Sequence, residues 1–246
     1  MGPKLPASAK KTIDPQEAFT DALKKRFLAQ REHMHVGPSM TALASLDDKH
    51  PTNCSSGNNR AYAEWTRLLK TTAPLPVQVR SMDQDSAFAL LAMIRRMYLA
   101  RGKDLEKVTS AWVWSLLARL DDVGTMNNDQ VFELRELGKK AVLVQLSFTD
   151  AAAAQQLEAV AADEKAKAAG RPEITITEED LDQRNNDAAQ TSTDHIDDES
   201  DVKGISHARQ NTLASLDIII TVIGEAFGQR DLLEFRRMWQ SSEEKP

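Results

Sequence analysis

A long apolar segment near the end of the chain limits the folds available to it. Its large side chains mark one helical face, at Leu213, Leu216, Ile220, Ile223 and Phe227. Aliphatic residues fill much of the remaining circumference. Asp217 and Glu225 interrupt the segment, which falls short of the roughly 20 apolar residues of a membrane span. A helix that is apolar nearly all round is buried on several sides, so we expect it at the centre of a bundle.

The rest of the chain can supply the helices that such a bundle needs. Only 10 Gly and 9 Pro occur among 246 residues, which favours helices over a strand-rich fold with many turns. Hydrophobic residues make up 41% of the chain, enough for a sizeable core. The predicted fold class is therefore all-α, in the form of an irregular helical bundle.

The first predicted helix begins with a capping box in the sequence DPQE. Asp14 is the expected N-cap, Pro15 occupies the first helical position, and Glu17 is placed to return a hydrogen bond. An apolar stripe follows at four-residue spacing, at Phe19, Leu23 and Phe27. This pattern predicts an amphipathic helix over residues 15–33.

Two segments without helical periodicity divide the chain. Residues 34–58 have the composition of a linker, so residues 1–58 form a tethered N-terminal arm. The helix of this arm either folds back onto the body or docks onto another protein. Residues 171–205 are strongly acidic with almost no large apolar side chains, which predicts a disordered insert. The helical domain then spans residues 59–240, interrupted by this insert.

Turn and capping signals set the expected boundaries in the first half of this domain. A helix is predicted from Asn59 onward, and the prolines of PLPVQV predict an extended segment after it. Ser81 with Gln84 is expected to open the next helix, and Gly102 is expected to end it.

The second half contains similar signals. A helix is predicted over about residues 104–122, and Asn127 with Gln130 caps the helix that follows. An Ala-rich stretch then continues as a separate or bent helix until Gly170.

The sequence AWVWSLLARLDD, from Ala111 to Asp122, contains two tryptophans two residues apart. Trp112 and Trp114 lie about 200° apart around a helix, so they do not share one face. If the bundle uses the aliphatic face of this helix, one tryptophan lies at the domain surface, where it would be an interface anchor. The alternative is that different neighbouring helices bury both.

Charge and chemistry argue against several classes of function. The formal charge of −6 disfavours direct nucleic-acid binding, which needs clustered Lys and Arg, and favours a basic protein partner. The single cysteine, Cys54, fits a reducing compartment. The sequence lacks the common catalytic, phosphate-binding and metal-binding motifs. We therefore predict no enzyme activity, no cofactor, no metal site and no membrane association.

Three segments together resemble one protein family. AWVWSLLARLDD is similar to a signature of the form W-Φ-[YW]-x-L-L-A-x-L-[DE], in which Φ is aliphatic, and FELRELGKK is similar to a segment one helix later. LDIIITVIGEAFGQRDLLEF resembles an apolar helix ending in F-x-Q-R-D-L. With the PQE of the first helix, the order and spacing resemble the Gemin-two family, also called SMN-interacting protein 1, a core subunit of the survival-of-motor-neuron (SMN) complex.

The resemblance implies an all-α, non-enzymatic protein that helps to load Sm proteins onto small nuclear RNA, in the cytoplasm and nucleus. Its C-terminal helical domain would bind a helix of SMN and the D-type Sm proteins, while the N-terminal arm would bind other Sm proteins. Sm proteins are basic and bind RNA, so an acidic chain complements them. The alternative is a generic all-α scaffold with unrelated protein partners.

Candidate partner-binding residues follow from these patterns. The capped stripe ahead of a linker predicts that the arm binds Sm proteins through Phe19, Leu23 and Phe27, and that alanine at all three leaves the melting temperature of the body nearly unchanged. In GQRD, Gly228 is expected to end the buried helix, and Asp231 is expected to cap a final helix with Glu234 and to leave Arg230 exposed. The candidates in the C-terminal domain are Trp112, Trp114, Arg119, Gln229, Arg230 and Asp231.

Overall fold

The structure, a computed structural model, describes residues 14–47, 49–54, 59–169 and 199–239. Within these ranges the chain forms nine α-helices, two 3-10 turns and no β-strand, which confirms the predicted all-α class. The helices are α1 (Pro15–His35), α2 (Met40–Ala44), α3 (Asn59–Thr71), α4 (Pro76–Arg80), α5 (Gln84–Met97), α6 (Lys107–Arg119), α7 (Asn128–Ser147), α8 (Ala151–Ala169) and α9 (Glu199–Ala226). The 3-10 turns are Val123–Thr125 and Arg230–Phe235.

The apolar helix α9 lies at the centre of the bundle, as its sequence predicts. It packs against α7, α1 and α6 and against the turn Arg230–Phe235. Leu216, Ile220 and Ile223 are fully buried among these neighbours. Asp217 is buried with them, and its two carboxylate oxygens accept hydrogen bonds from Arg236 over 2.5 and 2.8 Å. The one charged group in the middle of this helix is therefore neutralised from within the chain.

A second part of the core lies between α3 and α6 and contains a pair of tryptophans. Trp65 of α3 and Trp112 of α6 meet edge to face, with ring centroids 5.7 Å apart. Both rings are buried, and each indole N–H has a carbonyl acceptor, that of Asn53 for Trp65 and that of Thr72 for Trp112. Edge-to-face packing with satisfied donors is the favourable way to bury two indoles.

The N-terminal helix α1 folds back onto this body and does not extend from it. It packs against α6 and α9, and Phe27 is only 1% exposed. The Phe27 ring lies 5.3 Å from the ring of Trp114 and 6.1 Å from that of Phe227, edge to face in both cases. Leu23 is buried on the same face. The helix therefore adopts the first of the two arrangements that the sequence left open, because the chain's own aromatic residues cover Phe27 of the predicted stripe. This packing argues against the expectation that alanine at all three positions leaves the melting temperature nearly unchanged.

Ion pairs add to this packing at two points along α1. Lys24 donates to Glu225 of α9 over 3.0 Å. Arg31 donates to Asp122, just after α6, over 2.8 Å, and its guanidinium also lies 5.3 Å from the ring centroid of Phe227. The helix is thus joined by charge to both of the elements that its apolar face contacts.

The described part of the predicted linker is also attached to the body. Arg80 donates to the carbonyls of Val36 and Gly37 over 2.7 and 3.1 Å. Further along, Gln78 donates to the carbonyl of Pro51 over 2.9 Å. The short helix α2 interrupts the segment. The description of residues 34–58 as a tether is therefore wrong for these residues, since side chains of α4 fix the backbone on both sides of α2.

Two predicted boundaries in the first half differ from the structure. The second half of PLPVQV is the helix α4, because Pro76 at its first position lacks only an N–H that would be unpaired there anyway. Helix α5 is capped by Asp83, whose side chain accepts from the backbone N–H of Ser86, and Ser81 instead ends α4. Gly102 has a φ of +69° but lies in the loop beyond the end of α5.

In the second half of the domain the predicted helix boundaries agree more closely with the structure. Asn127 and Gln130 form the predicted capping box of α7, and α8 is a separate helix. Helix α6 is shorter than predicted at both ends, and Asp104, at its expected start, is paired with Arg209 over 2.8 Å. Residues 171–198 of the predicted insert lie outside the described residues, and α9 already begins at Glu199.

We predict that Phe27→Ala lowers the free energy of unfolding by about 3–5 kcal/mol, the usual cost of removing a buried aromatic ring. Chemical denaturation followed by circular dichroism measures this directly. The matched control is Leu28→Ala on the exposed side of the same helix, which should change stability by no more than about 0.5 kcal/mol. Equal, small effects of the two substitutions would show that α1 is detached in solution.

Candidate partner-binding surface

The predicted GQRD corner is held by a residue of α7. Gly228 has a φ of +74° and ends α9 as expected, and the N–H of Gln229 donates to the carbonyl of Ile223 over 3.2 Å. Arg135 then bridges the corner: it donates to the side-chain oxygen of Gln229 over 2.8 Å and to both carboxylate oxygens of Asp231 over 3.0 and 2.7 Å. Two of the three polar candidates in this corner therefore share one partner.

This arrangement corrects the predicted role of Asp231. Asp231 does not cap a helix with Glu234; it lies inside the turn Arg230–Phe235 and pairs with Arg135. The chain continues beyond this turn without forming the predicted final helix up to Trp239. A bidentate carboxylate–guanidinium pair is stronger than a single cap hydrogen bond, and only the tertiary structure brings Arg135 within reach.

The pair shifts the titration of both groups. The hydrogen bond from Arg135 holds the pKa of the Asp231 carboxyl below its ordinary value, and the same hydrogen bond raises the pKa of Arg135. Both side chains remain more than one-third exposed, so solvent screens the attraction. The corner is thus charged and ordered, yet accessible to a partner.

Exposed side chains surround the corner. Arg230 is exposed, and within the described part of the chain its guanidinium has no hydrogen-bond or ion-pair partner. Phe132 lies one turn before Arg135 on α7 and is 57% exposed, while Phe235 at the end of the 3-10 turn is 59% exposed. Large exposed aromatic rings beside an ordered charge pair are typical of a protein-binding surface.

The other candidates of the C-terminal domain do not join this corner. Trp112 is fully buried against Trp65, so it belongs to the core. Trp114 is partly buried beneath Phe27, so α1 covers the tryptophan that would otherwise lie at the surface. The two indoles are covered by different neighbouring helices, the second of the two arrangements that the sequence allowed.

Arg119 lies at the end of α6, away from the corner. One of its terminal nitrogens is 3.6 Å from a carboxylate oxygen of Asp121. Its Nε is buried without a hydrogen-bond partner in the described residues. Most of the side chain is covered, so Arg119 offers little surface to a partner in this conformation.

The three candidates on α1 are divided between core and surface. Leu23 and Phe27 are buried, whereas Phe19 is 36% exposed and packs against Trp239, with ring centroids 5.0 Å apart. Sequence reasoning missed Arg135, Phe132 and Trp239 as functional candidates. For Arg135 a signal was present, because it lies in the FELRELGKK segment that carries part of the family resemblance.

The described residues contain no group of three or more His, Cys, Asp or Glu side chains arranged to hold a metal ion. None of their helices is both long and apolar enough to cross a membrane.

The fold and this corner define an all-α bundle protein built around one buried helix. The family model described as survival motor neuron (SMN) interacting protein 1 (SIP1) matches residues 3–230, which is most of the chain. The chain therefore belongs to that family, and the resemblance inferred from the sequence motifs is confirmed. No curated protein and no solved structure matches the chain.

We predict that Asp231→Asn lowers stability only slightly, by about 0–1 kcal/mol at pH 6, because the ion pair is exposed. The pKa of Asp231 is lower in the folded chain, so its contribution is complete above the unfolded value of about 3.9 and is lost as the pH falls through the folded value. The difference in unfolding free energy between the parent and the variant should therefore become smaller below about pH 4 in urea unfolding experiments. Glu234→Gln is the control. A difference that is independent of pH would contradict the pairing of Asp231 with Arg135.

Proposed function

We propose that this chain is a non-enzymatic assembly chaperone that binds SMN and Sm proteins and helps to load the Sm ring onto small nuclear RNA in the cytoplasm and nucleus. The observation that carries the proposal is the match to the SMN-interacting protein 1 family over residues 3–230. The range includes α1, both tryptophans of α6 and the corner up to Arg230, so Asp231 is the one candidate residue that lies outside it.

The corner at the end of α9 is the proposed contact for the D-type Sm proteins. Arg230 is exposed there, and Arg135 orders Gln229 and Asp231 beside it. A residue held on a rigid turn loses little conformational entropy when a partner binds. The negative charge of the chain complements basic partners and favours rapid encounter with them.

The proposed role of α1 in binding other Sm proteins depends on its position. With α1 packed on α6 and α9, Phe19 is accessible. Leu23 and Phe27 can contact a partner only after α1 leaves these two helices. Such a movement would expose Trp114 at the same time, because Phe27 covers it. Release of α1 would therefore create two apolar surfaces together, one on the helix and one on the domain.

The alternative proposal, an all-α scaffold with unrelated partners, is tested by purifying complexes from native extract and identifying them by mass spectrometry. Recovery of SMN and Sm proteins supports the chaperone. Recovery of other proteins only, from an extract in which SMN and Sm proteins are detectable, favours the scaffold.

We predict that Arg230→Ala weakens the binding of D-type Sm proteins by more than about 1 kcal/mol, as expected for an interface anchor. The same substitution should change stability by no more than about 0.5 kcal/mol, because the side chain is exposed. Calorimetric titration gives the affinity and thermal unfolding gives the stability. Arg67→Ala, an exposed arginine of α3 on another part of the surface, is the matched control. If Arg230→Ala binds D-type Sm proteins as tightly as Arg67→Ala does, the corner is only a helix junction and not a partner contact.

A further inference from the structure

The last described residues, 236–239, lie across α1, α7 and α9 as a segment without regular structure. Two buried glutamines bind its backbone. Gln16 of α1 donates to the carbonyl of Arg237 over 2.9 Å and accepts from the N–H of Trp239 over 3.2 Å. Gln145 of α7 accepts from the N–H of Arg237 over 3.2 Å. Three main-chain groups of the segment are thus hydrogen-bonded by side chains of the helical body.

Two side chains of the segment occupy specific positions. The guanidinium of Arg236 donates to both carboxylate oxygens of Asp217, over 2.5 and 2.8 Å, and to the hydroxyl of Thr20 over 2.6 Å. Three residues later the indole of Trp239 packs against the ring of Phe19. The pocket for the arginine is well buried, with Arg236 9% and Asp217 11% exposed. The segment is held by one arginine, one aromatic ring and its backbone.

These contacts are the ones by which proteins bind extended peptides. Main-chain hydrogen bonds provide affinity that depends little on sequence, and pockets for separated side chains provide specificity. The segment itself lies on the surface, since Met238 is 73% exposed and half of the Trp239 side chain is open to solvent. It resembles a ligand bound to the domain more than a part of the core.

Space and charge around the segment favour a basic peptide. A cleft of about 480 Å³ lies beside Trp239 and is lined by Phe19, Leu213 and Ala214 among others. A second cleft, of about 260 Å³, adjoins Arg236. Three carboxylates line this second cleft, those of Asp14, Glu17 and Glu225. Glu225 is already paired with Lys24, so Asp14 and Glu17, together with Asp217, form the acidic environment for a cationic side chain.

We propose that the groove between α1, α7 and α9 is a peptide-binding site and that residues 236–239 are its internal occupant. The external ligand is an extended segment of a partner protein that carries an arginine and, three residues later, an aromatic residue. This site goes beyond the proposed function, because it does not require SMN or Sm proteins as partners. It also depends on residues beyond position 230, where the match to the family ends.

The internal occupant gives the site a built-in competitor. A tethered ligand acts at an effective concentration on the order of millimolar, so an added peptide must displace it. Removing the two anchors of the occupant leaves the Asp217 carboxylate without its arginine partner, so the apparent affinity for an added peptide that supplies an arginine should rise.

The test uses the full chain and a fluorescent peptide with the sequence of residues 234–240, EFRRMWQ, in an anisotropy titration. The double variant Arg236→Ala/Trp239→Ala should bind this peptide at least about tenfold more tightly than the parent chain does. A peptide with alanine at the positions of Arg236 and Trp239 should not bind. The matched control is Arg237→Ala/Met238→Ala, two neighbouring exposed side chains, which should behave like the parent.

Three results would overturn the proposal. The first is equal peptide affinity of the parent and the double variant. The second is loss of cooperative unfolding in the double variant, because the segment would then be an inseparable part of the core. The third is a dimer of the parent in light scattering that the double variant does not form, because the occupant would then come from a second copy of the chain.

Discussion

The burial of α9 is the constraint on which the rest of the structure depends. A helix with apolar residues around most of its circumference exposes several hundred Å² unless neighbours cover every side, and each Å² is worth about 25 cal/mol. Helices α7 and α6 cover part of it, and the remaining sides are covered by α1 and by the turn Arg230–Phe235. Asp217 on this helix requires a cation, which Arg236 provides. The need to bury one helix thus accounts for the positions of both described ends of the chain.

The sequence predicted well whatever depends on neighbours along the chain. The fold class, the cap at Asp14, the capping box at Asn127 and the end of α9 at Gly228 follow from local patterns, and all are present. It failed where a distant residue decides the outcome. Asp231 has the spacing of a helix cap, but Arg135, 96 residues away, binds its carboxylate. An apolar stripe also has the same spacing whether a partner or the chain itself covers it, so the sequence left the position of α1 open.

The candidate site shows the same division between local and distant information. Gln229, Arg230 and Asp231 are adjacent in sequence, and a turn after a glycine was sufficient to place them together at a corner. Hydrogen bonds from Arg135 hold Gln229 and Asp231 in place. The motif in α7 contains Arg135, but no rule of sequence spacing could reveal these contacts. For the tryptophans, helical geometry established that they face different directions. Only the structure shows what covers each of them, which is α3 for Trp112 and α1 for Trp114.

The contacts along α1 divide into those that provide binding energy and those that fix its position. Burial of a ring such as Phe27 contributes roughly 1.5–3 kcal/mol, whereas a hydrogen bond like those of Gln16 contributes about 0.5–1.5 kcal/mol. Apolar packing alone would tolerate a shift, because the stripe repeats once per turn. A shift of one turn moves every residue by about 5.4 Å, which would separate Gln16 from Arg237 at one end and Arg31 from Asp122 at the other. The polar contacts at the two ends of the helix therefore select one register among several that the apolar stripe would accept.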